Sequence, residues 1–311
     1  MDATFHLPEE FDQSIFLGNR PRLAKFLRTL RVGKRFSNWY FEKYGNPEGL
    51  RQSTIGSRRD FLDLIPTMSS VLEVGPFLSP CLTRPRHDVS YFDVLNGEQM
   101  LERARHLTSI PYEREYWEER LKHPLEIDYF HPDGDLSSVP RTFANLFSSH
   151  CIEHQPDLIT HMQQAYERIE PGGRYFMIVP DKRYCFDHYN PESRLIDVLG
   201  AHLERRRRAC PTKVLEHRLA TAHNDPVRHW MHDHGRPTLE ERPEVFGYCL
   251  EEAATALETY IDVHYWMFTP DSFRRLMNEL YEREFIKLRL ERVYPTLRNT
   301  FEFFAVFRRG N

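Results

Sequence analysis

From Ser69 to Val179, short apolar runs that read as strands alternate with longer amphipathic runs that read as helices, and no other feature restricts the fold as much. The segment SSVLEVG reads as a buried strand running into a glycine turn. Further strands are expected over 89–94, 127–130, 144–148 and 174–179, with helices near 97–106 and 156–169. Each helix between two strands makes a crossover, so the alternation predicts a parallel sheet covered by helices on both faces.

The flanks read differently. Residues 20–44 are basic and aromatic, with Leu23, Phe26, Leu27 and Leu30 at helical spacing before the break at Gly45-Asn46-Pro47. After Pro180 the chain turns polar, helical and rich in His and Arg up to about Tyr260, with no clear strand and no flexible linker, which marks an insertion. Thr269-Pro270-Asp271 then starts a helix over DSFRRLMNELYE. Strands over 285–292 and 301–307, separated by YPTLRN, close the sheet as an antiparallel hairpin. The expected division is a helical extension over 1–66, a Rossmann-like α/β core over 67–180, a helical cap over the substrate at 181–268, and a helix with a β-hairpin completing the core at 269–311.

A chain of 311 residues with 40% hydrophobic and 28% charged residues can bury a large core without a disulfide scaffold. A net charge of -4 gives no overall attraction to nucleic acid, and none is expected as a partner. The five cysteines are scattered with no C-x-x-C pair, which suits a reducing cytoplasm and argues against a cysteine-held metal. The amino terminus lacks the order of a signal peptide, and no apolar run approaches membrane-spanning length. A cytoplasmic protein without a membrane span is expected, and a homodimer is compatible with the sequence.

VLEVGPFLSP puts Glu73 at the end of the first strand and a tight turn at Gly75, where backbone N–H groups can face a ligand. Twenty positions after Glu73, VSYFDV ends with Asp93, whose carboxylate can accept from both hydroxyls of a ribose. The pairing suggests a nucleoside ligand. A pyrophosphate would require more glycine for close backbone approach, and Phe77 and Ser79 stand in its way, so a dinucleotide fits less well.

Downstream, FANLFSSHCIEH is a strand emptying into a polar turn and IEPGGRYFMIVPDKRY is a helix end, a glycine turn and the next strand. In this order the pieces resemble the class I S-adenosylmethionine (SAM)-dependent methyltransferases, in particular a methyltransferase type 11-like branch with S-S-H-x-I-E-H at its fourth strand. The resemblance covers about Val71 to Asp187 and extends through DVHYWMFTPDSF and the terminal hairpin. It implies SAM as cofactor, with Glu73, Gly75 and Pro76 by the methionine and ribose. It further implies Asp93 on the ribose hydroxyls, Asp133 and Gly134 at the adenine, and Ser148 and Ser149 facing the methionine.

Methyl transfer needs the acceptor's lone pair aligned behind the methyl group, and an oxygen acceptor usually also needs a base. His150, after the fourth strand at the carboxyl edge of the sheet, is the first candidate, with His264 and Asp181 as reserves. In PDKRYCFD, Lys182 and Arg183 suit an anionic group and Tyr184 the acceptor. In RHWMHDHG and DVHYW, His232, His234 and Asp262 are further substrate-facing candidates. The H-x-H pair has metal-ligand spacing, but polar contacts on a lid account for it as well, and no metal is expected. The run Arg205 to Arg208 looks like a phosphate clamp, but it also suits the negative end of a helix dipole and plain solvation.

Sequences resembling this branch are often associated with polysaccharide and glycoside pathways. The expected function is therefore O-methylation of a sugar or other small polar metabolite, with a His base. N-methylation of a small amine is the nearest alternative, and a non-catalytic binding or scaffold protein on the same fold is the rival class.

Overall fold

A computed structural model describes residues 54–108 and 114–310. Its centre is one seven-stranded sheet of β1 (Ser70–Val74), β2 (Asp88–Asp93), β3 (Tyr129–Phe130), β4 (Phe143–Ser149), β5 (Ile169–Pro180), β6 (Arg289–Tyr294) and β7 (Glu302–Arg308). The order across the sheet is β3-β2-β1-β4-β5-β7-β6. Strands β1 to β5 run parallel, and β7 runs antiparallel to both β5 and β6. This is the Rossmann-like sheet with a closing antiparallel hairpin that the alternation predicts. The direction of strand order reverses between β1 and β4, and the crevice at the carboxyl ends there is where such sheets receive ligands.

Successive side chains of a strand face opposite sides, so each strand feeds two cores. Leu72, Val74, Leu146, Tyr175 and Met177 pack on one face. There they meet α4 (Leu158–Arg168) and α10 (Pro270–Glu282). Val71, Phe147, Phe176 and Ile178 pack on the other, joined by Phe61 from α1 (Arg58–Leu62), whose ring stacks on Phe304 with centroids 4.8 Å apart. Both faces are covered, which is why β4 is buried along nearly its whole length.

The helices begin where their caps dictate. Asn96 and Gln99 form a reciprocal capping box at the start of α2 (Gly97–Leu107), and Thr269 and Ser272 do so at α10, with Pro270 at its first position. Phe273, Leu276, Met277 and Leu280 then bury one stripe of α10. One helix was not anticipated: α3 (Arg114–Lys122) buries no residue, so it has no apolar period to read. Strand β6 starts at Arg289, later than expected, because 285–288 lead into the sheet as irregular chain.

The P-G-G segment differs from a simple turn. Strand β5 already pairs at Ile169 with Phe143, then loses register until Arg174 meets Asn145. Gly172 takes a φ of 85°, and a Cβ on Gly173 would stand 2.1 Å from the Ala144 carbonyl oxygen. Only glycine lets the bulged chain pass β4 this closely.

Between β5 and α10 lie α5 (Leu195–Leu203), α6 (Pro211–Leu219), α7 (Pro226–Trp230), α8 (Thr238–Glu241) and α9 (Phe246–Ala254). The excursion leaves and returns side by side: Asp181 bridges Phe268, and the Lys182 N–H donates to the Phe268 carbonyl at 2.8 Å. No helix among the described residues is long and apolar enough to cross a membrane. The helical preamble expected over 20–44 lies outside the described residues.

Candidate active site

A cleft of about 310 Å³ opens at the carboxyl ends of β1, β2 and β4. One wall is Gly75, Phe77 and Asp93; a second is Arg103, Trp117, Asp133 and Gly134; the third is His150, Cys151 and His154, with Arg207, Arg208, Tyr260 and Asp262 from the helical excursion. Gly75 sits at φ 71°, and a Cβ there would press on the Cys151 sulfur at 3.2 Å. Glycine is thus needed on two counts, backbone conformation and space.

Asp93 is buried at the end of β2, where its carboxylate accepts from the N–H groups of Phe77 (3.0 Å) and Leu95 (3.1 Å). Burial raises its pKa above the ordinary carboxylate value despite these bonds. Across the cleft Asp133 pairs with Arg208 at 2.7 Å. Arg103 pairs with Asp262 and lies over the Phe77 ring at 5.7 Å, setting a cation, a carboxylate and an aromatic face side by side.

The H-C-I-E-H turn adds His150, Cys151 and His154 to the lining, with His154 2.9 Å from Asp262. His150 holds a left-handed φ of 49°, unusual for a side chain with a Cβ, and its N–H donates to the Ile178 carbonyl at 3.0 Å. Its Nε2 lies 2.7 Å from Glu302 and its Nδ1 3.5 Å from Glu153. Burial opposes a charge on this ring, but the two carboxylates outweigh it and push the pKa up to about 9. Glu153 itself is wholly buried, and neither oxygen accepts a hydrogen bond. Burial opposes its ionisation too, yet His150, His154 and His264 around it hold its pKa below the usual value.

Of the residues expected to hold a cofactor, Gly75, Asp93, Asp133 and Gly134 line this cleft, with Pro76 buried beside Gly75. Glu73 does not. Its buried carboxylate accepts from the N–H groups of Cys81 (2.7 Å) and Leu82 (3.0 Å), and burial pushes its pKa up to about 7. Ser148 and Ser149 also lie off the lining, and the Ser149 hydroxyl accepts from Arg58 at 2.8 Å.

Of the chemical candidates, His150 and Asp262 line the cleft, and His264 stands just behind it, its Nδ1 2.5 Å from Asp187. The others are elsewhere. Asp181 is buried, paired with Arg183 at 2.6 Å and accepting from Thr296 at 2.5 Å. Lys182 donates to the His188 carbonyl at 2.7 Å, and Tyr184 stacks on Trp230 with centroids 4.0 Å apart. His232 is exposed, and His234 stacks on His188 at 3.7 Å, close to His229 rather than to Asp262 or His264.

Sequence reasoning passed over Arg103, Trp117 and Glu153, and it set aside Arg207, Arg208 and Tyr260 for a solvated helix end and core packing. Glu153 alone carried a signal, a carboxylate set between histidines three before and one after, which in one tight turn must share a pocket. Arg207 and Arg208 belong to the run read as a solvated helix end, and Asp133 at the cleft is what draws Arg208 inward.

No protein-family model matches the chain, and no curated protein matches it. A search of solved structures does find matches. An S-adenosylmethionine-dependent methyltransferase from Clostridium acetobutylicum is 8% identical with a TM-score of 0.40, over 90% of this chain and 100% of that one. The N-methyltransferase NodS from Bradyrhizobium japonicum is 12% identical with a TM-score of 0.32, over 81% and 94%. The CurJ carbon methyltransferase is 12% identical with a TM-score of 0.37, over 81% of this chain and 51% of its own, so the chain spans about half of that protein's length.

Proposed function

We propose that this chain is a class I SAM-dependent methyltransferase acting on a hydroxyl of a small polar acceptor, with a saccharide as the leading class. The observation that carries the reading is the cleft itself. A glycine turn after β1, a buried acid ending β2 and the Asp133-Gly134 turn after β3 meet at the point where strand order reverses. The set fits a nucleoside: Asp93 for the ribose, Asp133 and Gly134 for the adenine edge, and apolar Phe77 and Trp117 for ring contact. Bound there, SAM supplies an activated methyl group.

The chain's own part is orientation and exclusion of water. Arg207, Arg208, Tyr260 and Asp262 place residues of the 181–268 segment over the cleft, in keeping with a substrate cap. His150 is the acceptor-facing residue in this reading. Glu302 and Glu153 keep its ring protonated at neutral pH, so it orients the acceptor by donating a hydrogen bond, and the rate draws chiefly on alignment. That departs from the base role first expected of it. A polar acceptor suits the end of the cleft where His150, His154 and Asp262 converge, and an apolar one does not.

Calorimetry with SAM and with S-adenosylhomocysteine tests the assignment. Micromolar binding of both is expected, and no heat up to millimolar cofactor would end it.

A further inference from the structure

The H-C-I-E-H turn holds a feature that cofactor binding leaves unexplained. Glu153 is completely buried with both oxygens unbonded, although an ionised carboxylate away from water ordinarily finds donors or a cation. Three imidazoles face one of those oxygens, Oε1, at distances too long for good hydrogen bonds: His150 Nδ1 at 3.5 Å, His154 Nε2 at 3.9 Å and His264 Nε2 at 4.0 Å. Each ring has a carboxylate near its other nitrogen: Glu302 bonds His150 at 2.7 Å and Asp187 bonds His264 at 2.5 Å, while Asp262 stands 2.9 Å from His154 Nδ1 without hydrogen-bond alignment. A carboxylate that fixes one nitrogen and aims the other inward is how proteins orient histidine ligands.

We propose that Glu153, His154 and His264 bind a divalent transition-metal cation. Their ligand atoms all lie within 4.8 Å of one another. Three atoms so spaced share a centre roughly 2.3–2.5 Å from each, a few tenths of an ångström outside metal–nitrogen and metal–oxygen bonds of about 2.0–2.2 Å. Two imidazoles with one carboxylate select zinc, iron, manganese or cobalt over magnesium or calcium, which prefer oxygen donors. His150 and His154 line the cleft, so the ion would have an open side toward the acceptor and would hold and acidify a hydroxyl placed there. This last point rests on the methyltransferase reading; the binding site does not.

The test uses the full chain, stripped with a chelator and titrated with Co²⁺, whose visible absorption reports coordination. One equivalent is expected to bind and to be displaced by Zn²⁺. Glu153→Gln, nearly isosteric, and His264→Gln should each weaken binding at least about tenfold with circular dichroism unchanged. His188→Gln and His217→Gln should not, although His188, His229 and His234, and also Asp187, His217 and His264, form clusters of metal-ligand geometry. The proposal is overturned if the stripped chain takes up no Co²⁺ up to millimolar concentration, if well-folded Glu153→Gln binds as tightly as the parent, or if His188→Gln or His217→Gln abolishes uptake. SAM calorimetry on the same stripped protein separates the two readings: cofactor bound without Co²⁺ uptake sinks the metal site alone, and uptake without cofactor binding sinks the methyltransferase reading alone.

Discussion

His264 and Asp187 are 77 positions apart in sequence, yet Nδ1 of one lies 2.5 Å from Oδ2 of the other, with side chains only 6% and 2% exposed. The contact joins the turn that follows β5 to the stretch by which the chain returns to the sheet. Burial opposes the Asp187 charge, and His264 nevertheless holds its pKa below the ordinary value. Asp187→Ala would leave a buried ring without its partner. We expect a loss of about 3 kcal/mol or more, read as a lower urea midpoint at pH 7.

Asp93→Ala removes the acid assigned to the ribose. SAM affinity should fall about tenfold or more by calorimetry, since hydrogen bonds to a charged group contribute about 1.5–3 kcal/mol. Unchanged affinity in a folded variant would move the nucleoside elsewhere in the cleft.

For His150 the expected signature is a split between steps. His150→Ala should lower turnover about tenfold to 100-fold and raise the acceptor KM, with SAM affinity unaltered, because the ring meets the acceptor and not the cofactor. His150→Gln, which keeps a donor, should recover part of the loss. Equal losses in both variants would point to a packing role.

A pH dependence of stability follows from His161, a buried helix residue of α4 whose Nε2 lies 3.0 Å from the Tyr175 hydroxyl. Burial lowers its pKa from 6.5 to about 4. The unfolded chain therefore binds this proton first, so the contribution is complete above pH 6.5 and is lost as pH falls toward about 4. Urea midpoints at pH 7.5, 6 and 5 should decline, and His161→Gln should flatten the decline. An unaltered acid limb in that variant would refute the assignment.

The sheet was readable because its signals are local. An apolar run such as SVLEV followed by glycine, or Thr269-Pro270 ahead of an amphipathic stretch, specifies an element whatever surrounds it. Gly75 and Asp93 were readable as cleft residues for the same reason, each tied to the end of a strand, while Asp133 and Gly134 came only with the family resemblance. Glu73, Asp181 and Lys182 have the same kind of address, but where their side chains point depends on partners distant in sequence. Glu73 turns to the Cys81 and Leu82 amides, and Asp181 to Arg183 and Thr296. The cluster around Glu153 was hidden because its members come from H-C-I-E-H, Asp187, Asp262, His264 and Glu302, and only the folded sheet brings these together.

The bridge between Asp181 and Phe268 gives the helical excursion neighbouring ends. Closing a segment whose ends already touch costs little more for a long stretch than for a short one, about 0.6 kcal/mol for each doubling of length. The strands on either side pair with one another directly, while Val198, Ala201 and Val214 of the excursion pack into the same core as Leu72 and Leu146. Length can therefore be gained or lost at exposed turns between Asp181 and Phe268 at little entropic cost, provided the buried Asp187–His264 pair and the Arg103–Asp262 contact are kept.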